Sequence, residues 1–182
     1  MKVANLISVV RENVDYLVYI WFEQIKDSAH FKKLNVLTNS KLINKGEIIF
    51  EELVLWLEQE NNLERIEKLG YSYYTENFSL DEAIESVFIA KSISINFLLV
   101  DNPITNRESS IETISILNEY FDQFIFHLTN GFTTGIYNKL KEDEKYSDDE
   151  LLQLFHLSSI DASSNFLIND IFSKGFNSGI LK

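Results

Sequence analysis

Apolar residues recur at spacings of three and four along most of the chain, which is the pattern of helices that bury one face. The first stripe predicts a helix over roughly residues 2–26 and contains Val3, Leu6, Val10, Val14, Leu17, Trp21 and Ile25. A short helix is then predicted from Asp27 or Ser28 to Leu34. Thr38 or Asn39 can cap the next helix. The stripe of that helix contains Leu42, Ile43, Gly46, Ile49, Phe50, Leu53 and Leu57.

Two glycines lie inside apolar stripes instead of at helix ends. Gly46 is near the centre of its stripe, and Gly70 lies among Leu63, Ile66, Leu69 and Tyr73. A glycine inside a helix costs about 1 kcal/mol of helix propensity relative to alanine. We therefore expect both glycines to permit the close approach of a neighbouring helix.

Three capping boxes mark the starts of later helices: Ser79-x-x-Glu82, Thr105-x-x-Glu108 and Ser147-x-x-Glu150. In a capping box the hydroxyl accepts from an amide of the first turn, and the glutamate accepts from the cap amide. These boxes predict helices near residues 80–100, 106–130 and 148–160. The predicted fold is therefore all-α, a compact domain of five or more helices over residues 1–138. A charged helix end or linker and a C-terminal helical appendage follow over residues 139–182.

Charge and composition narrow the function classes. The net charge of −12 disfavours nucleic acid and anionic membrane surfaces, because both attract basic proteins. The chain has no cysteine, which excludes disulfides and thiolate chemistry. No apolar segment of signal-peptide length precedes Arg11, and the longest uncharged run, residues 123–138, is too polar to span a bilayer. We expect a cytoplasmic protein with no membrane and no nucleic-acid partner.

The residues that carry chemistry do not form a catalytic pattern. The three histidines, His30, His127 and His156, are not spaced as a metal-binding pair, and Asp27-x-x-His30 is an isolated match. Neither a Gly-x-Ser-x-Gly elbow nor a phosphate-binding glycine loop is present. We therefore expect no enzyme, no catalytic residue, no metal and no cofactor. A haem in the aromatic-rich core stays the alternative, although His127 lies at the boundary of its apolar stripe.

Three residues are candidates for ligand binding: Lys91, Ser94 and His127. Lys91 falls on the apolar face of its predicted helix. Its ammonium either reaches solvent along an extended stem, or pairs with Ser94 or with a carboxylate of another helix.

Four further apolar residues are candidates for a homodimer interface. Tyr19 and Phe22 lie off the core stripe of the first helix, and Ile125 and Phe126 widen that of the 106–130 helix. Surplus apolar surface of this kind is buried most commonly in a two-fold dimer.

Several of these features together resemble a bacterial family, the N-terminal sensor domain of RsbRD-type RsbT co-antagonists, whose relatives precede histidine kinases and other signalling modules. The resemblance covers roughly residues 8–130. It is carried by Glu12-Asn13, Trp21-Phe22, His30-Phe31 to Leu34, Leu69-Gly70 and Phe78-Ser79-Leu80-Asp81-Glu82.

The resemblance implies a non-enzymatic stress-response sensor that binds a ligand or a signalling partner and rearranges a dimer. It also implies a helical, globin-like fold without haem; the alternative is a globin-like protein that binds haem or another small ligand. One departure from the family is that no kinase or anti-sigma-antagonist domain follows in this sequence. Whether the chain is a stand-alone member or a fragment stays open.

Overall fold

The computed structural model describes residues 3–28, 31, 37–60, 62–101, 107–143, 146, 147 and 150. Within these residues the chain forms six α-helices and no strand, which confirms the all-α prediction. The helices are α1 (Val3–Glu12), α2 (Val14–Asp27), α3 (Asn39–Leu57), α4 (Leu63–Thr75), α5 (Leu80–Asn96) and α6 (Arg107–Glu142). A π-helical segment, Phe97–Asp101, continues α5. Most of the predicted short helix to Leu34 lies outside the described residues, as do Thr105 of its capping box, His30, His156 and most of residues 139–182.

The prediction of one continuous helix over residues 2–26 is wrong at Asn13. The amide side chain of Asn13 donates a 2.8 Å hydrogen bond to the carbonyl of Val9, and its backbone amide donates to Val10. Asparagine competes with helical backbone bonds in this way. The chain therefore breaks into α1 and α2 at this residue, although the apolar stripe runs across the break.

The core is built from the predicted stripes. Trp21 and Ile25 of α2 have no exposed surface. The same is true of three residues of α3: Ile49, Phe50 and Leu53. In α6, the core residues include Leu117, Phe121, Phe124 and Leu128, which have no exposed surface. At ~25 cal/mol per Å² of apolar surface, burial of these side chains is the main favourable term in folding.

Close helix approaches occur at both predicted glycines and at two more. A methyl group on Gly70 of α4 would lie 2.8 Å from the carbonyl carbon of Leu128 in α6. A methyl group on Gly131 of α6 would lie 2.6 Å from the carbonyl carbon of Glu67 in α4. The helices α4 and α6 thus cross backbone to backbone. Gly46 instead faces an edge of the Trp21 ring, at 2.8 Å.

The predicted end of the 106–130 helix is wrong, because α6 continues to Glu142. Gly131 and Gly135 lie inside this helix, and both permit close packing. A methyl group on Gly135 would lie 2.7 Å from the Tyr74 ring. The chain divides into two compact units, Met1–Gly135 and Ile136–Lys182. The predicted boundary at residue 138 lies inside α6, which ends at Glu142.

The helix α5 begins at the predicted capping box. The Ser79 hydroxyl accepts from the Glu82 amide at 3.1 Å, and the Glu82 carboxylate accepts from the Ser79 amide at 2.9 Å. The segment Leu80–Val100 is long and apolar enough to cross a membrane by length and composition alone, and 44% of its most apolar window is buried inside the protein. Such a composition is also that of a core helix, and α5 buries Ala83, Ser86, Val87, Ala90 and Ile93.

Candidate functional site

An open cleft of about 410 Å³ lies between α3 and α4. Four cationic residues line it, Lys41, Lys45, Arg65 and Lys68, together with the carboxylate of Glu76. We call it the α3–α4 cleft. Four of the chain's 16 lysine and arginine residues are therefore gathered here, although the chain as a whole carries a net charge of −12. A volume of this size suits a small molecule.

Lys45 lies at the buried end of this group and is only 4% exposed. Its ammonium donates a 2.9 Å hydrogen bond to the Ser72 hydroxyl and lies 2.9 Å from a carboxylate oxygen of Glu76. It also lies 4.2 Å from the centre of the Tyr73 ring, a cation–π distance. Burial lowers the pKa of Lys45, and the nearby Glu76 carboxylate opposes that shift.

The Glu76 carboxylate forms ion pairs with two lysines, Lys45 and Lys41. Its second carboxylate oxygen lies 3.3 Å from the ammonium of Lys41, at the exposed edge of the cleft. Partial burial works to raise the pKa of Glu76, but Lys45 and Lys41 outweigh it and hold that pKa below its usual range. One carboxylate therefore balances two cations, one buried and one exposed.

Arg65, which lines one side of the cleft, forms a salt bridge with a buried glutamate. Glu52 of α3 has no exposed surface, and its carboxylate accepts from the Arg65 guanidinium and from the Asn62 amide, both at 3.1 Å. Because a second acid, Glu51, also pairs with this guanidinium, Arg65 is held from two sides. The loop between α3 and α4 is tied to α3 by these bonds, and the cleft has a rigid wall.

The three predicted ligand-binding residues have separate partners. The ammonium of Lys91 pairs with Asp122 of α6 at 3.5 Å, so its partner is a carboxylate of another helix. Ser94 is buried, and its hydroxyl donates to the Ala90 carbonyl within α5. His127 is partly buried and lies 3.0 Å from a carboxylate oxygen of Glu67. The structure does not join them in one site.

The predicted dimer residues differ in exposure. Tyr19 is 61% exposed and Phe126 is 58% exposed, whereas Phe22 and Ile125 are half-buried. Tyr19 also lines a shallow, mixed groove of about 460 Å³ between α2 and α5, together with Glu23 and Ile89. The outer face of α2 is therefore exposed to solvent at Tyr19.

Buried hydroxyl groups take part in bonds between helices. The Trp21 indole donates to the Ser86 carbonyl at 2.8 Å, and the hydroxyls of Tyr73 and Ser86 are 2.9 Å apart. The Tyr120 hydroxyl donates to the Ile49 carbonyl. Burial raises the pKa of both tyrosines above the usual range, and the Ser86 hydroxyl partly offsets that shift at Tyr73. Such neutral, bonded hydroxyls fix helix positions.

The α3–α4 cleft was not predicted, although the sequence carries one sign of it. Lys45 precedes Gly46 and lies three residues after Leu42 and four before Ile49, on the apolar face of α3. The same reasoning that selected Lys91 applies to Lys45. The partners Ser72 and Glu76 lie in another helix and beyond its end, and local spacing cannot pair them with Lys45.

No metal-binding cluster of three or more histidine, aspartate or glutamate side chains occurs within the described part of the chain. Comparisons with family models, curated proteins and solved structures found no match to the chain.

Proposed function

We propose that the chain is a non-enzymatic bacterial signalling module of the RsbRD sensor type, which responds to a ligand or partner through a cytoplasmic homodimer. The family assignment rests on the sequence resemblance. In the structure, the proposal is supported by how the buried polar groups are used. The hydroxyls of Tyr73, Ser86 and Tyr120 bind other helices, so they are not presented to a substrate.

The single observation that carries the proposal is an aromatic strip on the outer face of α2. Tyr16, Tyr19 and Phe22 follow one another at spacings of three, and the first two are 47% and 61% exposed. On the opposite face of the same helix, Trp21 and Ile25 are fully buried. A strip of neighbouring aromatics marks an interface more often than single exposed side chains do.

A second copy of the chain is the proposed occupant of this strip. Phe126 of α6, which is 58% exposed, is a further aromatic residue that the dimer would cover. A two-fold dimer is the commonest arrangement that covers a self-complementary apolar face. A ligand that binds one dimer arrangement better than another then shifts the population between them, and this transmits a signal without chemistry.

Sedimentation equilibrium at micromolar concentration tests the dimer. We expect the unmodified chain to be a dimer and Tyr19→Glu with Phe22→Glu to weaken it. The matched control is Tyr71→Glu, which places the same charge at a 41% exposed tyrosine of α4 and should leave the dimer intact. A chain that stays monomeric at its highest soluble concentration would refute the proposal.

The alternative is a globin-like protein that binds haem or another small ligand. The surroundings of His127 do not favour haem. Its imidazole pairs with Glu67, and the adjacent Leu128 contacts the α4 backbone at Gly70. An absorption spectrum of the purified chain with added haemin separates the two functions, since a stoichiometric haem complex would support the alternative.

A further inference from the structure

The α3–α4 cleft combines one fixed cation with cations at its exposed edge. Lys45 is held by Ser72 and Glu76, as described above. The side chains of Lys41 and Lys68 are 60% and 74% exposed, and both line the same cleft. A ligand that enters from solvent therefore meets exposed ammonium groups first and a buried one behind them.

Each cation of the cleft lining is paired with a carboxylate. Four cations and one carboxylate, Glu76, line the cleft. Three more acids lie beside the cleft: Glu51 and Glu52 pair with Arg65, and exposed Glu64 pairs with Lys68. Since the Glu64–Lys68 pair is exposed, it contributes little and is readily exchanged for another anion.

We infer that the α3–α4 cleft binds a small polyvalent anion of the phosphate or polycarboxylate class. The anion contacts Lys41 and Lys68 and competes with Glu76 for the buried ammonium of Lys45. The Ser40 hydroxyl lines the cleft and can donate a hydrogen bond to the anion, and Ile48 and Leu69 supply apolar surface for a carbon stem. This inference rests on the proposed function only in giving the signalling module its ligand class.

Calorimetric titration with pyrophosphate and, separately, with citrate tests the site at an ionic strength held constant with sodium chloride. We expect saturable binding of one anion per chain. Tighter binding of pyrophosphate assigns the phosphate class, and tighter binding of citrate assigns the polycarboxylate class. Binding that does not saturate, or that follows ionic strength alone, would overturn the inference.

Two variants locate the binding. Lys41→Ala with Lys68→Ala removes two exposed ammonium groups and should weaken binding roughly tenfold. Lys139→Ala is the matched control, because it removes an exposed lysine outside the cleft lining that pairs with a carboxylate four residues away, as Lys68 does. Equal loss in both variants would contradict a site at the cleft. Lys45→Ala is avoided, since it leaves Glu76 without its buried partner and endangers folding.

Glu76→Gln gives a result of the opposite sign, once circular dichroism shows that the variant folds, because it leaves the buried Lys45 without its carboxylate. Removing the internal carboxylate frees Lys41 and Lys45, so the affinity for the anion should rise roughly two- to fivefold. An unchanged or reduced affinity would show that Glu76 does not compete with the anion. Binding and dimerisation are read separately: sedimentation reports on the proposed module, and the titration reports on the cleft even in a monomer.

Discussion

Gly70 and Gly131 each face the backbone of the other's helix. Neither position has room for a methyl group, because the carbonyls of Leu128 and Glu67 occupy that space. Backbone atoms cannot rotate away as a side chain does. The contact between α4 and α6 is therefore fixed by two residues that lie 61 positions apart in the sequence, as their residue numbers give.

Gly70→Ala and Gly131→Ala should each destabilise the chain by about 1–3 kcal/mol through overpacking, despite the better helix propensity of alanine. Gly46→Ala should cost less, because it meets the edge of the Trp21 ring. Urea unfolding measures the effect as a shift of the midpoint at constant slope. The exposed neighbour Asn130→Ala is the control, and should stay within about 0.5 kcal/mol of the unmodified chain. Unchanged midpoints for both glycine variants would contradict the close crossing.

Ser79→Ala should destabilise the chain by about 1 kcal/mol, since it removes the side-chain half of a complete capping box. Thr38 is the matched comparison. It precedes α3 as the N-cap residue, but its hydroxyl makes no capping bond. Thr38→Ala should therefore cost clearly less in thermal unfolding. Equal losses at both positions would mean that the Ser79 bonds add nothing.

Tyr73→Phe should change how stability depends on alkaline pH. Burial raises the pKa of Tyr73, so the folded chain keeps a proton that the unfolded chain loses near the ordinary value of 10.0. The resulting stabilisation is complete below that pH and declines above it, by about 1.4 kcal/mol per pH unit. The variant should lose this dependence.

Lys45 acts in the opposite direction. Its pKa is lowered by burial, so its contribution to stability rises with pH up to the ordinary value of 10.5. Comparing Tyr73→Phe with the unmodified chain cancels the Lys45 contribution. Urea unfolding between about pH 8 and pH 11 supplies the measurement, and exposed Tyr71→Phe is the control. Parallel curves for Tyr73→Phe and the unmodified chain would rule out a shifted pKa at Tyr73.

Trp21→Phe should destabilise the chain by about 1–3 kcal/mol. It removes the indole bond to the Ser86 carbonyl and leaves a cavity where a fully buried ring stood. Trp56→Phe, at a half-buried position of α3, should cost less. Denaturant midpoints followed by circular dichroism compare the two variants without relying on tryptophan fluorescence. A larger loss for Trp56→Phe would reverse the expected order.

Helix positions could be predicted where one periodic stripe faces one core. The stripe around Leu42, Ile49 and Leu53 gave α3 correctly, and the Ser79 box gave the start of α5. Prediction failed at Asn13, where a side-chain bond to Val9 interrupts the helix without disturbing the stripe. It failed again near residue 130, where α6 continues to Glu142, because the packing of Gly131 against α4 depends on another helix.

The cleft shows a different limit. Lys45 could have been selected from its apolar neighbours in α3, but Glu76 could not have been paired with it. That pairing depends on how α3 and the end of α4 come together, because the two residues are 31 positions apart in the sequence. Charge balance across helices is set by tertiary packing, and helical periodicity within one segment does not contain it.

Ser86 joins three helices through two different oxygen atoms. Its carbonyl receives the Trp21 indole of α2, whereas its hydroxyl meets Tyr73 of α4. Replacing Ser86 with alanine leaves the carbonyl in place. In a double-mutant cycle, Ser86→Ala and Tyr73→Phe should therefore be strongly coupled, while Ser86→Ala and Trp21→Phe should be nearly additive. A single serine thus supplies two thermodynamically separable attachments of α5, one insensitive to its side chain and the other dependent on it.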